Sequence, residues 1–355
     1  MVGDSAVSSA NIFPIAGDGY VSVPGQTGHL IAARVVDQYG VPIIGQPVSW
    51  TVNAGGGQIN RGTNGIPNAD VQTDIYGTVG ARVDFGNQLG DQVYTATVAG
   101  VAPWEFDLFA AAGPVIAPNG VVNGASFQNA AVAPGSYITI TGQELAHVTA
   151  NYVTTNLPLT IAATSVSFDV PSAGISVAGH LSYISPTQLN VQVPWELQGQ
   201  AAAQIKVIRT NIASVLYNLP LANYGPAAFE YTGGDGQLYA AALDTNGQLI
   251  TTAHPAQRGQ YISIYANGLG PVSNQPASGA TSPGVNLAQS APLSAISVSI
   301  GGRPAQVAFS GLAPNYVALY QLNVVVPTDA PTGVVPLVIT GNGIVAKTTM
   351  LAVSP

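Results

Sequence analysis

YITIT (137–141), YISIYA (261–266) and AISVSI (295–300) alternate apolar and polar side chains residue by residue. A strand sends successive side chains to opposite faces. This period of two therefore suits a half-buried sheet and gives a helix no apolar stripe. Elsewhere the apolar runs are short, interleaved with Ser, Thr, Gln and Asn, and closed by Gly, Pro, Asn or Asp. Asn-Gly pairs at 64–65, 119–120, 123–124, 246–247, 267–268 and 342–343 tolerate the positive φ of tight turns. The pattern predicts an all-β chain of tandem β-sandwiches with little or no helix.

Two heptapeptides constrain the arrangement further: QLNVQVP at 188–194 and QLNVVVP at 321–327. They do not stand alone. APGSYITITGQEL (133–145) parallels QRGQYISIYANGL (257–269), and LPLTIAATSVSF (157–168) parallels APLSAISVSIGG (291–302). The pairs keep their order and differ mainly in loop length, so a single doubling of one sandwich accounts for all of them. Leu189, Val191 and Val193 share one strand face, as do Leu322, Val324 and Val326, and Pro194 and Pro327 end the strands. Asn190 and Asn323, on the opposite face, have two readings: tying a neighbouring loop backbone, or touching a glycan. The Pro/Gly-rich stretch AAAGPVIAPNG (110–120) marks a linker. The expected domains are 1–113, 114–224 and 225–355.

At 355 residues the chain has room for two or three cores. Charged residues make up 7%, against about 25% in an ordinary domain. Eight Lys and Arg against sixteen acids leave a net charge of −8, which excludes neutralising a phosphate backbone, so no nucleic-acid partner is expected. Sparse charge weakens mutual repulsion and permits close packing of subunits or binding of neutral polymers. No apolar run approaches the roughly 18 residues of a membrane helix, so no membrane span is expected. The absence of cysteine removes disulfides, thiolate zinc sites and cysteine nucleophiles. MVGDSAVSSANIFPIAG lacks the basic start and apolar core of a signal peptide.

In the first unit VVDQYGVPIIGQPVSWTV (35–52), TDIYGTVGARV (73–83) and DQVYTATVAG (91–100) follow in order. Asp37–Gly40 and Asp74–Gly77 read as turns, and Val48 and Trp50 as core positions on one strand face. Val36, Asp37, Gly40, Pro42, Gly45, Val48, Trp50, Thr73, Asp74, Gly77, Tyr94 and Ala96 carry a resemblance to the bacterial immunoglobulin-like domain of the invasin and intimin type. That resemblance implies stacked spacers that hold an adhesive tip away from a cell. NGASFQNAAVAPGSYITITGQELA, YISPTQLNVQVPWEL, HPAQRGQYISIYANGLGPV and GLAPNYVALYQLNVVVP resemble the uncharacterised C-terminal domain of large secreted proteins from Solibacter-type Acidobacteria. Gly225, Pro226, Ala227, Ala228 and Phe229 stand where that family joins its repeats. This second resemblance implies an extracellular context and no assigned activity.

Searching for chemistry yields little. His29, His147, His180 and His254 lack metal-ligand spacing and read as solvent-facing loop or strand-end residues. G-x-S-x-G is missing, and Gly3-Asp4-Ser5, faintly similar to the opening of one esterase family, has no strand before it. Asp244-Thr245-Asn246-Gly247 starts like a calcium loop without the downstream glutamate, although Asp235 and Asp244 have a second reading as a shared calcium site. The acids suggest no facing carboxylate pair. No catalytic residue, metal or cofactor is expected.

Aromatics carry the remaining signal. Trp104, in VAPWEFDLF, and Trp195, in VPWELQ, follow Pro at strand ends. Either they staple neighbouring domains together or they contact a glycan. Tyr316 and Tyr320 sit where a loop enters a repeated strand, beside Asn315, and read either as packing at the strand entrance or as binding residues. Ile12, Phe13 and Ile15, in SSANIFPIAGDGYVSV (8–23), form a candidate self-association strand able to pair with a sheet edge in its own domain or in a neighbouring subunit. The resulting expectation is an extracellular or cell-surface, non-enzymatic structural or adhesion protein: a stalk, surface-layer or fibre subunit. Its partners are its own copies or other surface proteins. The alternative is a binding module for neutral polysaccharide, and an enzyme with a site scattered over loops ranks third.

Overall fold

The computed structural model describes residues 11–61, 70–152 and 155–355. Gly3-Asp4-Ser5 and the Asn64-Gly65 pair lie outside the described residues. The architecture is all-β: among the described residues the helical turns are three short 3-10 segments, Pro171–Ala173, Trp195–Leu197 and Leu293–Ala295. The chain divides into two compact units, Met1–Gly113 with Asn211–Ala213, and Pro114–Thr210 with Ser214–Pro355. The second holds both copies of the doubled sequence, each with a hydrophobic core.

In the first unit, one sheet runs in the order Asn11–Ala16, His29–Val36, Thr78–Asp84, Gln58–Arg61. The facing sheet runs Val21–Ser22, Trp104–Ala110, Gly90–Thr97, Ser49–Ala54. Ile31, Val35, Val79, Val83, Tyr94 and Phe106 fill the space between. Val48 is buried, and Trp50 stacks on Phe106 while its indole N–H donates to the Asp70 carbonyl at 3.0 Å. Asp37 and Asp74 build their turns identically. One carboxylate oxygen accepts the N–H two residues on (Tyr39, 2.8 Å; Tyr76, 2.9 Å) and the N–H four residues on (Val41, 2.9 Å; Thr78, 2.8 Å). Asp244 repeats this with Asn246 and Gln248, both at 2.8 Å.

The strand Asn11–Ala16 pairs antiparallel with His29–Val36 of its own unit, with Ile12 opposite Val35. Ile12 is buried in the core, Phe13 half-buried and Ile15 exposed. Pro14, which has no N–H, sits on this edge strand beside a register shift.

The two copies share one pairing scheme. Tyr137–Gln143 pairs with Gln188–Gln192, and Tyr261–Asn267 with Tyr320–Val325, placing Thr139 opposite Asn190 and Ser263 opposite Asn323. Thr164–Val170 pairs with Ala202–Arg209, as Ile296–Ile300 does with Gly333–Gly341. The copies differ where the chain crosses between layers. In the second, Arg303–Leu312 is one strand that pairs with Ile296–Ile300 at one end and Tyr320–Val325 at the other. In the first, the equivalent path is broken at Gly179 into Ile175–Ala178 and His180–Ile184. The dry faces hold the repeated strands in their cores: Leu189, Val191, Val193, Leu322, Val324 and Val326 are all fully buried.

Candidate functional site

The copies meet along a polar seam within the second unit. Asn267, fully buried, accepts at Oδ1 from the Tyr137 N–H (2.9 Å) and donates from Nδ2 to the Tyr137 backbone carbonyl (2.8 Å) and to Asn123 Oδ1 (3.0 Å). Asn123 in turn donates to the Gly225 carbonyl at 2.9 Å. A loop of the second copy docks on the other side. The Gly279 N–H donates to Gln192 Oε1 (2.6 Å), Leu157 N–H to the Gly279 carbonyl (2.8 Å), and Trp195 N–H to Ser278 Oγ (2.9 Å). Ser278 Oγ also donates to Glu196 Oε2 at 2.7 Å. Buried amides paired this completely lose little on desolvation and fix one relative orientation.

His180 belongs to this seam: Gly279 packs against its ring, so closely that an added Cβ would fall 2.1 Å from it. Burial lowers the His180 pKa below its ordinary value, with the Glu196 carboxylate pulling the other way.

Beside the seam lies a groove of about 490 Å³ walled by both copies. The first copy contributes Tyr137, Asn151, Tyr152 and Asn190, and the second Asn315 and Tyr316. Leu157, Val317 and Ala318 form a small apolar cluster with Tyr137 packed against it. Burial, partly offset by a hydrogen bond with Ser182, pushes the Tyr137 phenol up to about 12, so it stays neutral at ordinary pH. Among the described residues, no Asp, Glu, His, Lys or Arg lines the groove. It therefore has aromatic faces and neutral donors and acceptors, and no acid–base pair.

The residues singled out from the sequence fall in separate places. Trp104 packs half-buried against the core of the first unit. Trp195 is 4% exposed and joins the core of the second copy from the first. Its ring lies over Gly135, where an added Cβ would sit 2.1 Å away, so it offers no face to a ligand. Tyr316 is 57% exposed at the groove, whereas Tyr320 is buried with its hydroxyl donating to the Gly270 carbonyl at 2.6 Å. The Asn190 side chain turns to its own sheet: Oδ1 accepts from Thr139 Oγ1 (3.1 Å) and Gln188 Nε2 (2.9 Å). Asn323 repeats this with Ser263 Oγ (2.9 Å) and Gln321 Nε2 (2.8 Å).

Three histidines expected to face solvent have specific contacts instead. His29 stacks on Tyr20 at 3.7 Å, His180 sits at the seam, and His254 Nε2 lies 3.0 Å from Asp244 Oδ2. The calcium reading of Asp235 and Asp244 gives way to other partners. Asp235 accepts from the Tyr239 hydroxyl (2.6 Å) and the Gln237 N–H (3.0 Å), and Asp244 serves its turn and His254. Among the described residues no three His, Cys, Asp or Glu gather as a metal site. Sequence reasoning missed Tyr137 and Tyr152, because nothing local distinguishes a strand-start tyrosine in a core from one facing another domain.

No family model matches the sequence, and no curated protein matches it. Among solved structures, the chain is similar to invasin, a bacterial integrin-binding protein, at 17% identity and a TM-score of 0.25. The match covers 97% of this chain and 60% of that one, so the chain spans less than two thirds of that relative. It is similar at 11% identity and a TM-score of 0.30 to SGBP-B of a Bacteroides ovatus mixed-linkage glucan utilization locus, with 97% and 70% covered. A third likeness is to domains 5–6 of the S-layer protein SbsC, at 10% identity and a TM-score of 0.22, with 59% and 98% covered. At identities and TM-scores this low, the roles of those proteins do not transfer to this chain.

Proposed function

We propose that the protein is a non-enzymatic structural and adhesive component of a cell surface or extracellular matrix: a stalk, surface-layer or fibre subunit made of immunoglobulin-like sandwiches. The observation that carries this reading is the seam of the second unit. Tandem domains joined by a linker ordinarily move against each other. Here Asn123, Asn267 and the docked loop around Gly279 bind the copies through buried hydrogen bonds. A joint of that kind transmits force and sets a length. The 7% of charged residues leaves little repulsion between packed neighbours.

Self-association is part of the proposal. The strand carrying Ile12, Phe13 and Ile15 gives its inner edge to its own sheet. A neighbouring subunit pairing with it meets the outer edge, where Pro14 removes a donor. Such pairing is consequently short. Surface labelling and protease shaving of cells making the protein, with negative-stain imaging of the purified chain, test the reading. Surface exposure with ordered assemblies or extended particles is the expected result, and an intracellular protein that forms no assembly overturns it.

A further inference from the structure

The groove between the copies has a chemistry that the structural role does not use. We propose that it binds a segment of neutral saccharide, held between Tyr152 and Tyr316 and hydrogen-bonded by the amides of Asn151 and Asn315. Its volume of about 490 Å³ falls within the about 300–1,000 Å³ typical of small-ligand pockets, and junctions between domains are where such pockets concentrate.

Three observations select this ligand class. First, among the described residues the lining carries no ionisable acid or base apart from tyrosine, and Tyr137 is kept neutral by burial. An anionic polymer or a charged peptide finds no counter-charge there, whereas a neutral ligand loses nothing by its absence. Second, Tyr152 and Tyr316 are 42% and 57% exposed beside neutral amides and hydroxyls. Sugar rings present C–H faces that pack on aromatic rings and hydroxyls that pair with amides, so one ligand satisfies both kinds of group. Third, the walls are fixed in advance. Tyr137 is locked by two backbone bonds to Asn267, and Asn315 is held by its N–H to the Ser282 carbonyl at 3.1 Å. Preorganised walls reduce the entropy lost on binding.

The second copy provides an internal contrast. Its equivalent strand face, around Ser263 and Asn323, also borders a cavity, but that cavity is lined by Asp244, which holds His254 at 3.0 Å. Tyr261, equivalent to Tyr137, is 50% exposed there. An aspartate carboxylate borders that cavity, and loop 315–317 of the second copy walls the face of the first. The doubling therefore made one neutral groove and not two.

Affinity gel electrophoresis of the full chain tests this, with soluble neutral glucans, mannan, galactan and arabinoxylan in the gel and polygalacturonate as the anionic comparator. Retardation by at least one neutral polymer is expected, with little or none by polygalacturonate. Tyr316→Ala and Tyr152→Ala should each weaken retardation about tenfold, and Tyr316→Phe, which keeps the ring, should weaken it less. Both positions are solvent-facing, so thermal melts of the variants should match the parent, separating a lost site from a lost fold. The proposal is overturned if no neutral polymer retards the chain, if only polygalacturonate does, or if retardation survives both alanine variants. None of these results bears on surface location or assembly, so the structural reading stands or falls separately.

Discussion

Tyr316 and Tyr320 lie four residues apart at the entrance to the same repeated strand, and they do unlike things. The first lines the groove, while the second is sealed in the core with its hydroxyl on a carbonyl. Ile12 shows the same dependence on surroundings: alone it is one apolar residue of a candidate association strand, and in the fold it is 2% exposed. Ile12→Ala should therefore cost about 2–5 kcal/mol of stability in the first unit. Urea unfolding followed by Trp50 and Trp104 fluorescence measures it; an unchanged midpoint would mean the strand is not part of that core. At His180, burial lowers the pKa from its ordinary value near 6.5. The unfolded chain then takes up the proton first as pH falls. The stabilising contribution of the neutral ring is complete above pH 6.5 and is lost as pH drops through the lowered folded value. Acidifying from about pH 7.5 to about pH 5 should lower the melting temperature of the second unit more in the parent than in His180→Gln. Equal slopes in the two proteins would refute this.

At the level of elements, the repeated strand was legible in full and its partner strands nearly so. Leu189, Val191, Val193 and their counterparts are buried as their alternation requires, because one face of a half-buried sheet must be dry. The polar face was legible only as polar. That Asn190 and Asn323 each accept from a Gln two residues back on their own strand and a hydroxyl on the next strand depends on cross-strand register, which the heptapeptide does not contain. The seam separates buried amides from half-exposed ones. Asn267→Ala leaves the Tyr137 N–H and carbonyl without their partner, at roughly 1–3 kcal/mol for each buried group. Asn190→Ala removes hydrogen bonds at a half-buried position that lines the groove, where water entering the groove takes their place, and should cost under about 1 kcal/mol. Chemical denaturation of the two variants side by side checks the ranking, and an equal loss in both would show that the seam does not depend on Asn267.

At the scale of the whole molecule, the second unit behaves as one body in this reading, since Trp195 of the first copy completes the core of the second. Calorimetry of the full chain should show the two copies melting in a single transition. A separate transition for residues 114–224 alone would contradict a seam that couples the copies. The all-β class, the turns and the doubling are legible in the chain alone, because period-two alternation, Asp and Asn-Gly turn chemistry and self-similarity are local or repetitive signals; the lack of charge is a matter of composition. Packing in three dimensions makes Trp195 buried and Tyr316 open, closes the seam at Asn123 and Asn267, and sets Tyr137 and Tyr152 across a groove from the second copy. Burial of a strand-end aromatic is set by which other surface packs on it, and that surface comes from residues far off in the sequence, Gly135 and Ser278 for Trp195 and Asn267 for Tyr137.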